Sequence, residues 1–279
     1  MSVLTLYNSD GYLHFDEKQC RTAGKLFAES YQGAAPFPHI VIDDLLDADL
    51  LRDVAAHYPS LEGKAYFDRD QERLKSQFHA QEIGHGRTRN ILSELNSQAF
   101  LGFLEEMTGI AGLISDPYYA GAGLHLTRMG GHLGVHADFN IHRVMKVERR
   151  LNLLVYLNDE WQTAYGGQLE LWNKAMTQRE VSVEPVLGRA VVFSTALDSF
   201  HGQPDPLTCP PDRDRRSIAT YYYTALPAGE NAPLKRSTTF QQRPQSKDAA
   251  DWAVRRSHFI QDWVPLRLQP AARKLLRAL

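Results

Sequence analysis

His136-Ala137-Asp138 sets an imidazole and a carboxylate two residues apart, just after the glycine-rich turn Gly130-Gly131-His132-Leu133-Gly134. In a strand, residues i and i+2 point to one face, roughly 6–7 Å apart along the chain, so both side chains can converge on a single ion from one strand end. A third donor must come from elsewhere. His201 follows the apolar run Ala190-Val191-Val192-Phe193, which reads as a buried strand. Two imidazoles and one carboxylate, with coordination positions left over, suit a non-haem Fe(II) centre of the oxygenase kind. Arg216 opens another β-rich run, Arg216-Ser217-Ile218-Ala219-Thr220-Tyr221-Tyr222-Tyr223, and a guanidinium there can grip a carboxylate through two parallel N–H bonds.

The triplet alone is weak evidence. With 11 histidines in the chain, chance supplies roughly one H-x-D in every two such sequences. His14-Phe15-Asp16 is a second example, in a polar segment without the glycine turn or the succession of strands, and reads as accidental. The ordered company distinguishes His136-x-Asp138: glycine turn, Arg149 to Asn158 with Tyr156-Leu157-Asn158, Gly166-Gly167 before Leu169-Glu170-Leu171-Trp172, His201-Gly202, and the Arg-initiated strand.

With those motifs in order, the stretch from about Gly123 to Thr224 resembles the core of the Fe(II)/2-oxoglutarate-dependent dioxygenases, in particular the prolyl 4-hydroxylase-like branch. The resemblance implies a double-stranded β-helix, a jelly-roll barrel with iron at one mouth. It implies Fe(II) held by His136, Asp138 and His201. Arg216 and the hydroxyl of Tyr156 would hold the distal carboxylate of 2-oxoglutarate, and Leu169, Thr220 and Tyr222 would line that pocket. Arg215 is adjacent and leaves the register of the pair open; Arg216 is preferred because Arg-x-Ile-x-Thr-x-Tyr matches the family alternation. Thr127 stands where relatives often carry Tyr. The implied reaction consumes 2-oxoglutarate and O2, with ascorbate as reductant, and releases succinate and CO2 while hydroxylating an unactivated C–H of a prolyl residue, a free amino acid or a related small molecule. Asp138 favours hydroxylation over halogenation, where relatives replace the carboxylate. Two other classes stay open: a cupin-type metal dioxygenase, which lacks a second H-x-H here, and a non-catalytic jelly-roll binding module.

The elements that must carry these residues are legible in outline. The chain has 279 residues, 43% hydrophobic and 23% charged, with net charge −2, enough for a sizeable core and without a global pull toward nucleic acid. Cys20 and Cys209 form no zinc or redox motif, and no 18-residue apolar window occurs, so a cytoplasmic protein without membrane partners is expected. No H-E-x-x-H helix is present. The reading is α+β with a mainly β core in one domain over 1–279: helical support over 1–120, the barrel over 121–225 and a C-terminal extension over 226–279. Helices are predicted over Glu17–Tyr31, Asp47–His57 and Ser93–Thr108, and a strand at His39–Ile42. From Gly121 the period switches from 3.6 to 2. Residues 62–89 read as a substrate-facing lid or a solvated loop. Pro227–Lys247 reads as irregular, with helices over 249–263 and 270–279. His125 alternates into the barrel; His132 and His142 belong to loops. Arg143, Lys146, Arg149 and Arg150 form a basic cluster that either meets an anionic substrate or is a solvated rim. Tyr221–Tyr223 are either a stacking platform or packing.

Overall fold

The computed structural model of the protein describes residues 2–60, 65–226, 238–246, 248, 260, 264 and 268. In chain order the first part comprises β1 (Leu6–Ser9), β2 (Tyr12–Phe15), α1 (Glu17–Gln32), β3 (His39–Ile42), α2 (Ala48–Ala56), β4 (Ala65–Arg69), β5 (Glu72–Phe78), α3 (Gly86–Glu94) and α4 (Gln98–Thr108). The second part is almost entirely strand: β6 (Gly123–Ala137), β7 (Glu148–Tyr156), β8 (Leu169–Trp172), β9 (Arg179–Val183), β10 (Ala190–Ser194), β11 (His201–Gln203), β12 (Arg215–Thr224) and β13 (Thr239–Phe240). Strands β1 and β2 make a separate hairpin. The others join one antiparallel sheet in the order β3-β10-β7-β12-β6-β11-β8-β9, with β5 and β13 also on β6. The sheet curls into the nearly closed barrel of a double-stranded β-helix.

Strand β6 holds the barrel together. Its first half, Gly123 to Thr127, pairs with β12 on one side and β5 on the other. After the Gly130-Gly131 turn, its second half pairs with β11, setting His136 opposite His201. This strand therefore passes from one layer of the barrel to the other and delivers the H-x-D pair at its far end, with Asp138 just beyond Ala137. A Cβ on Gly202 would lie 2.8 Å from the carbonyl oxygen of Gly134, so glycine is needed where β11 closes on β6.

The period-two signal has a simple cause. On β7, Leu151, Leu153 and Val155 pack into the large core shared with the four helices, whereas Tyr156 and Leu154 face the barrel interior with Leu169, Leu171 and Phe193. On β12, Ile218 and Tyr222 join the helical core. Helices α1 and α4 cover this layer, with Phe27 and Phe103 meeting edge to face at 6.4 Å. Burying both faces of the layer is what makes its strands so apolar.

Several local expectations are met and others corrected. The carboxylate of Asp47 caps α2, accepting from the amides of Asp49 and Leu50 at 3.1 and 3.0 Å. Asp16, the second H-x-D carboxylate, caps α1 by accepting from Gln19 N at 2.7 Å. The helix read over Ser93–Thr108 is two helices: α3 ends at Glu94, and Ser97 caps α4 by accepting from Phe100 N at 3.3 Å. Asn96 and Ser97 stop the first helix because their short polar side chains favour caps and turns. Residues 65–89 are not a loop throughout: β4 and β5 form a hairpin whose second strand pairs with β6 and faces the cavity through Glu72, Lys75 and Gln77. The stretch read as irregular contributes β13, and the helices expected over 249–263 and 270–279 fall largely outside the described residues. Among the described residues no helix is long and apolar enough to cross a membrane.

Gly24 of α1 sits where a Cβ would run into the carbonyl oxygen of Phe103 on α4. Gly24→Ala is expected to lower stability by about 1–3 kcal/mol through overpacking. Gly84→Ala, with open space around it, should cost much less; urea denaturation of the two variants checks this.

Candidate active site

His136, Asp138 and His201 come together, with one potential ligand atom from each lying within 4.8 Å of the others. Nε2 of His136 is 3.7 Å from Asp138 Oδ1, and Nε2 of His201 is 3.3 Å from Asp138 Oδ2. The opposite nitrogen of each ring is fixed by its own strand. Nδ1 of His136 donates to the Gly134 carbonyl at 2.8 Å, and Nδ1 of His201 to the Ser199 carbonyl at 3.0 Å. A carbonyl only accepts, so the proton sits on Nδ1 and the Nε2 lone pair of each imidazole faces the carboxylate. Donors about 2.0–2.2 Å from one shared ion stand roughly 3 Å or more apart, so this constellation fits a first-row divalent metal. Burial, and after it the neighbouring His201, pushes His136 down to about 4, leaving it neutral and able to bind a metal at physiological pH.

The carboxylate is held from behind. Arg149, 2% exposed, brings Nη2 to 3.0 Å from Asp138 Oδ2, and Asn152 Nδ2 donates to the same oxygen at 2.8 Å. Arg149 Nε donates to Asn152 Oδ1 at 2.8 Å, and its guanidinium lies 3.5 Å from the Tyr221 ring centroid. Burial opposes ionisation of Asp138, but the Arg149 guanidinium, with His201 and His136 beyond it, holds its carboxyl well below the ordinary range. The expected basic cluster is thus corrected at Arg149, which is a buried partner of the metal-site carboxylate and not part of a solvated rim. Neither it nor Asn152 was singled out for this role from sequence, and their i, i+3 spacing would place them on opposite faces of a regular strand; they meet because the pairing of β7 with β12 is irregular between Tyr222 and Tyr223.

A cavity of about 310 Å³ opens beside the three residues. Arg215 and Leu169 line it; Arg216 does not. The Arg216 guanidinium points to the helical side, donating to the Ala55 carbonyl at 3.0 Å and lying 4.9 Å from the Tyr58 ring centroid. Thr220 and Tyr222 share that face: their hydroxyls bond each other at 2.8 Å, and Tyr222 donates to the Leu95 carbonyl at 2.8 Å. The assignment of Arg216, Thr220 and Tyr222 to the pocket is therefore one residue out of register, which in a strand turns every side chain to the opposite face. The inward set is Arg215, Ser217 and Tyr221. Arg215 is buried; its Nε donates to the Gly167 carbonyl at 2.7 Å and its Nη2 to the Tyr156 hydroxyl at 3.2 Å. Gly167 adopts φ +82°, and a Cβ there would come within 3.0 Å of Arg215 Cδ, so the Gly-Gly turn makes room for this guanidinium. Among the described residues no carboxylate pairs with Arg215.

The other histidines separate cleanly. His125 lines the cavity and donates through Nε2 to the Gly121 carbonyl at 2.9 Å; burial, then Lys75, pushes it down to about 3. His132 bonds the Asp70 carbonyl. His142 is buried against Asp116 at 3.3 Å and meets the Tyr223 ring edge to face at 5.2 Å, away from the cavity. A second group, Asp53, His57 and His85, also brings three donors together, but Arg87 already pairs with Asp53 at 3.0 Å.

Residues 122–223, which carry the H-x-D strand, both sheet layers, His201 and the two arginines, match the family model of the 2OG-Fe(II) oxygenase superfamily. Over this stretch the chain is similar to the 2OG-Fe(II) oxygenase superfamily. Its fold is similar to that of a prolyl-4-hydroxylase from Pseudomonas putida, at 21% identity over 73% of this chain and 100% of that one, with TM-score 0.50. A prolyl hydroxylase from Trichoplax adhaerens, solved with a hypoxia inducible factor oxygen degradation domain peptide fragment, aligns at 14% identity over 74% of this chain and 91% of that one, TM-score 0.50. The non-heme alpha ketoglutarate dependent epimerase SnoN from nogalamycin biosynthesis aligns at 13% identity over 80% and 97%, TM-score 0.50. At these identities the likeness is one of fold. No curated protein matches the chain by sequence.

Arg149→Met would leave the Asp138 carboxylate buried without its cation. Removing one partner of a buried ion pair costs about 3–5 kcal/mol. In metal-free protein at neutral pH, denaturant unfolding of Arg149→Met should show a loss of that order, and adding Asp138→Asn should recover part of it.

Proposed function

We propose that the protein is an Fe(II)- and 2-oxoglutarate-dependent oxygenase that hydroxylates an unactivated C–H of an amino acid, a prolyl group or a related small molecule. Fe(II) would be held by Nε2 of His136, a carboxylate oxygen of Asp138 and Nε2 of His201, leaving coordination positions for the 2-oxo acid and O2. The distal carboxylate of 2-oxoglutarate would be held by Arg215, assisted by the Tyr156 hydroxyl. The single observation that carries this reading is the Arg215 guanidinium: buried, hydrogen-bonded to Tyr156, unmatched by any described carboxylate, and in the same cavity as two histidines and an aspartate. A buried cation of this kind calls for an anionic partner.

When bound, the iron supplies the activation of O2, with one oxygen atom ending in succinate and the other in the hydroxylated product. The chain's own residues do the positioning. The Gly134 and Ser199 carbonyls fix the tautomer and plane of the two imidazoles, and Arg149 and Asn152 fix the carboxylate and keep it ionised. Leu169 and Phe193 give the cosubstrate a dry wall. A binding module needs no such uncompensated cation, and a cupin-type centre gives Arg215 no task.

Arg215→Met should weaken 2-oxoglutarate binding by at least about 30-fold, the loss expected on removing one partner of a buried charge pair. Arg216→Met, on the opposite face, should leave it within about threefold. Calorimetric titration of 2-oxoglutarate into each variant loaded with a redox-inert divalent metal decides between the two arginines. His136→Ala and His201→Ala should each lose Fe(II) binding and succinate formation while keeping the native circular dichroism spectrum. Iron-dependent turnover surviving in both would refute the ligand assignment.

A further inference from the structure

The cavity carries more positive charge than the metal site and its cosubstrate consume. Among the described residues, Arg69, Lys75, Arg149 and Arg215 line it, against Glu72 and Asp138. Arg149 is matched by Asp138 at 3.0 Å. Under the reading just given, Arg215 is matched by the distal carboxylate of 2-oxoglutarate, whose other carboxylate goes to Fe(II). The remaining group is two cations on one carboxylate. Glu72 bridges Arg69, through Oε2 at 2.5 Å, and Lys75, through Oε1 at 2.9 Å. Burial opposes ionisation of Glu72, yet Lys75 and Arg69 hold its carboxyl below the ordinary range, so it counts as one negative charge. One unit of positive charge is left over at this wall, shared between the half-exposed Arg69 and the buried Lys75.

The position of that excess is fixed by register. Lys75 on β5 and Arg215 on β12 both pair with Thr127 of β6, so the two cations flank it from opposite sides, one strand away in each direction. Lys75 is well buried, its side chain 14% exposed, and its packing is with the cavity rather than the solvent. An ammonium kept from water beside a cavity favours an anion there. The space also limits the guest. About 310 Å³ is at the small end of ligand pockets, and the cosubstrate must share it.

Resting on the proposed oxygenase activity, we propose that the primary substrate is a small molecule bearing a free carboxylate, of amino-acid size, and that the Arg69–Glu72–Lys75 group receives that carboxylate. A prolyl residue inside a polypeptide, neutral at both of its amides, leaves this charge unanswered.

The test uses the full chain, anaerobic, with Fe(II) and 2-oxoglutarate bound, and follows the visible charge-transfer band of the iron–2-oxo acid chelate. The probes are the free L-amino acids, L-proline included, each beside its carboxamide. The expected result is that at least one acid perturbs the band and, on admission of O2, accelerates succinate release, while its amide does so at least tenfold less well. Lys75→Met should raise the concentration of that acid needed for half-perturbation by at least tenfold, Lys75→Arg should restore it, and 2-oxoglutarate affinity should change by less than about threefold in both. Lys75→Gln serves should the methionine variant fail to fold. Amides as effective as acids, or no acid perturbing the band, would overturn the inference. So would Lys75→Met losing 2-oxoglutarate as Arg215→Met does, which would assign the lysine to the cosubstrate. Failure of the chelate band to form at all would instead refute the oxygenase reading on which this one rests.

Discussion

The layer formed by β7, β12 and the first half of β6 is buried on both faces, and that constraint governs the rest of the molecule. One face packs against four helices and the other encloses the cavity. Each strand position therefore has a fixed destination. Ile218 and Tyr222 must go to the helices, and Arg215, Ser217 and Tyr221 must go to the cavity. A slip of one residue in β12 would turn Arg215 and Ser217 toward the helices and Ile218 and Tyr222 into the cavity.

Charge in the cavity is arranged in three separable groups. The first neutralises itself, with Arg149 and Asn152 fastening Asp138. The second, Arg215 with Tyr156, stands without a carboxylate partner among the described residues. The third, Arg69–Glu72–Lys75, is positive by one charge. The second costs folding free energy unless a ligand completes it, whereas in the third the half-exposed Arg69 keeps part of its hydration. Sites that sacrifice stability in this way are sites where binding is the purpose.

Much of this was legible before any coordinates. The barrel followed from alternation in Leu151-x-Leu153-x-Val155 and its neighbours, and the His136, Asp138 and His201 grouping from spacing and order. Asp16 could be set aside as a decoy because the ordered succession of motifs around His136 is missing there; His14 does lie on a strand, β2, against expectation, but Asp16 proves to be a helix cap. The choice between Arg215 and Arg216 was not legible, since alternation gives the period of a strand and not its phase when both faces are buried. Ile218 and Tyr222 look equally suited to a pocket and to a helix interface. The β4–β5 hairpin was hidden for a different reason. Its strands are polar because they end at a charged cavity wall, so composition reported a loop. Arg149 was misread on composition too, because a cluster of basic residues looks solvated unless the buried carboxylate it serves is known.

The most direct measurement is anaerobic addition of Fe(II) and then 2-oxoglutarate to the wild-type protein and to Asp138→Ala, with the visible absorption followed throughout. Bidentate chelation of a protein-bound ferrous ion by a 2-oxo acid gives a charge-transfer band in that region. The account predicts a saturable band at one equivalent in the wild type, absent from the variant. No band in the wild type with both additions saturating, or an undiminished band without Asp138, would contradict it.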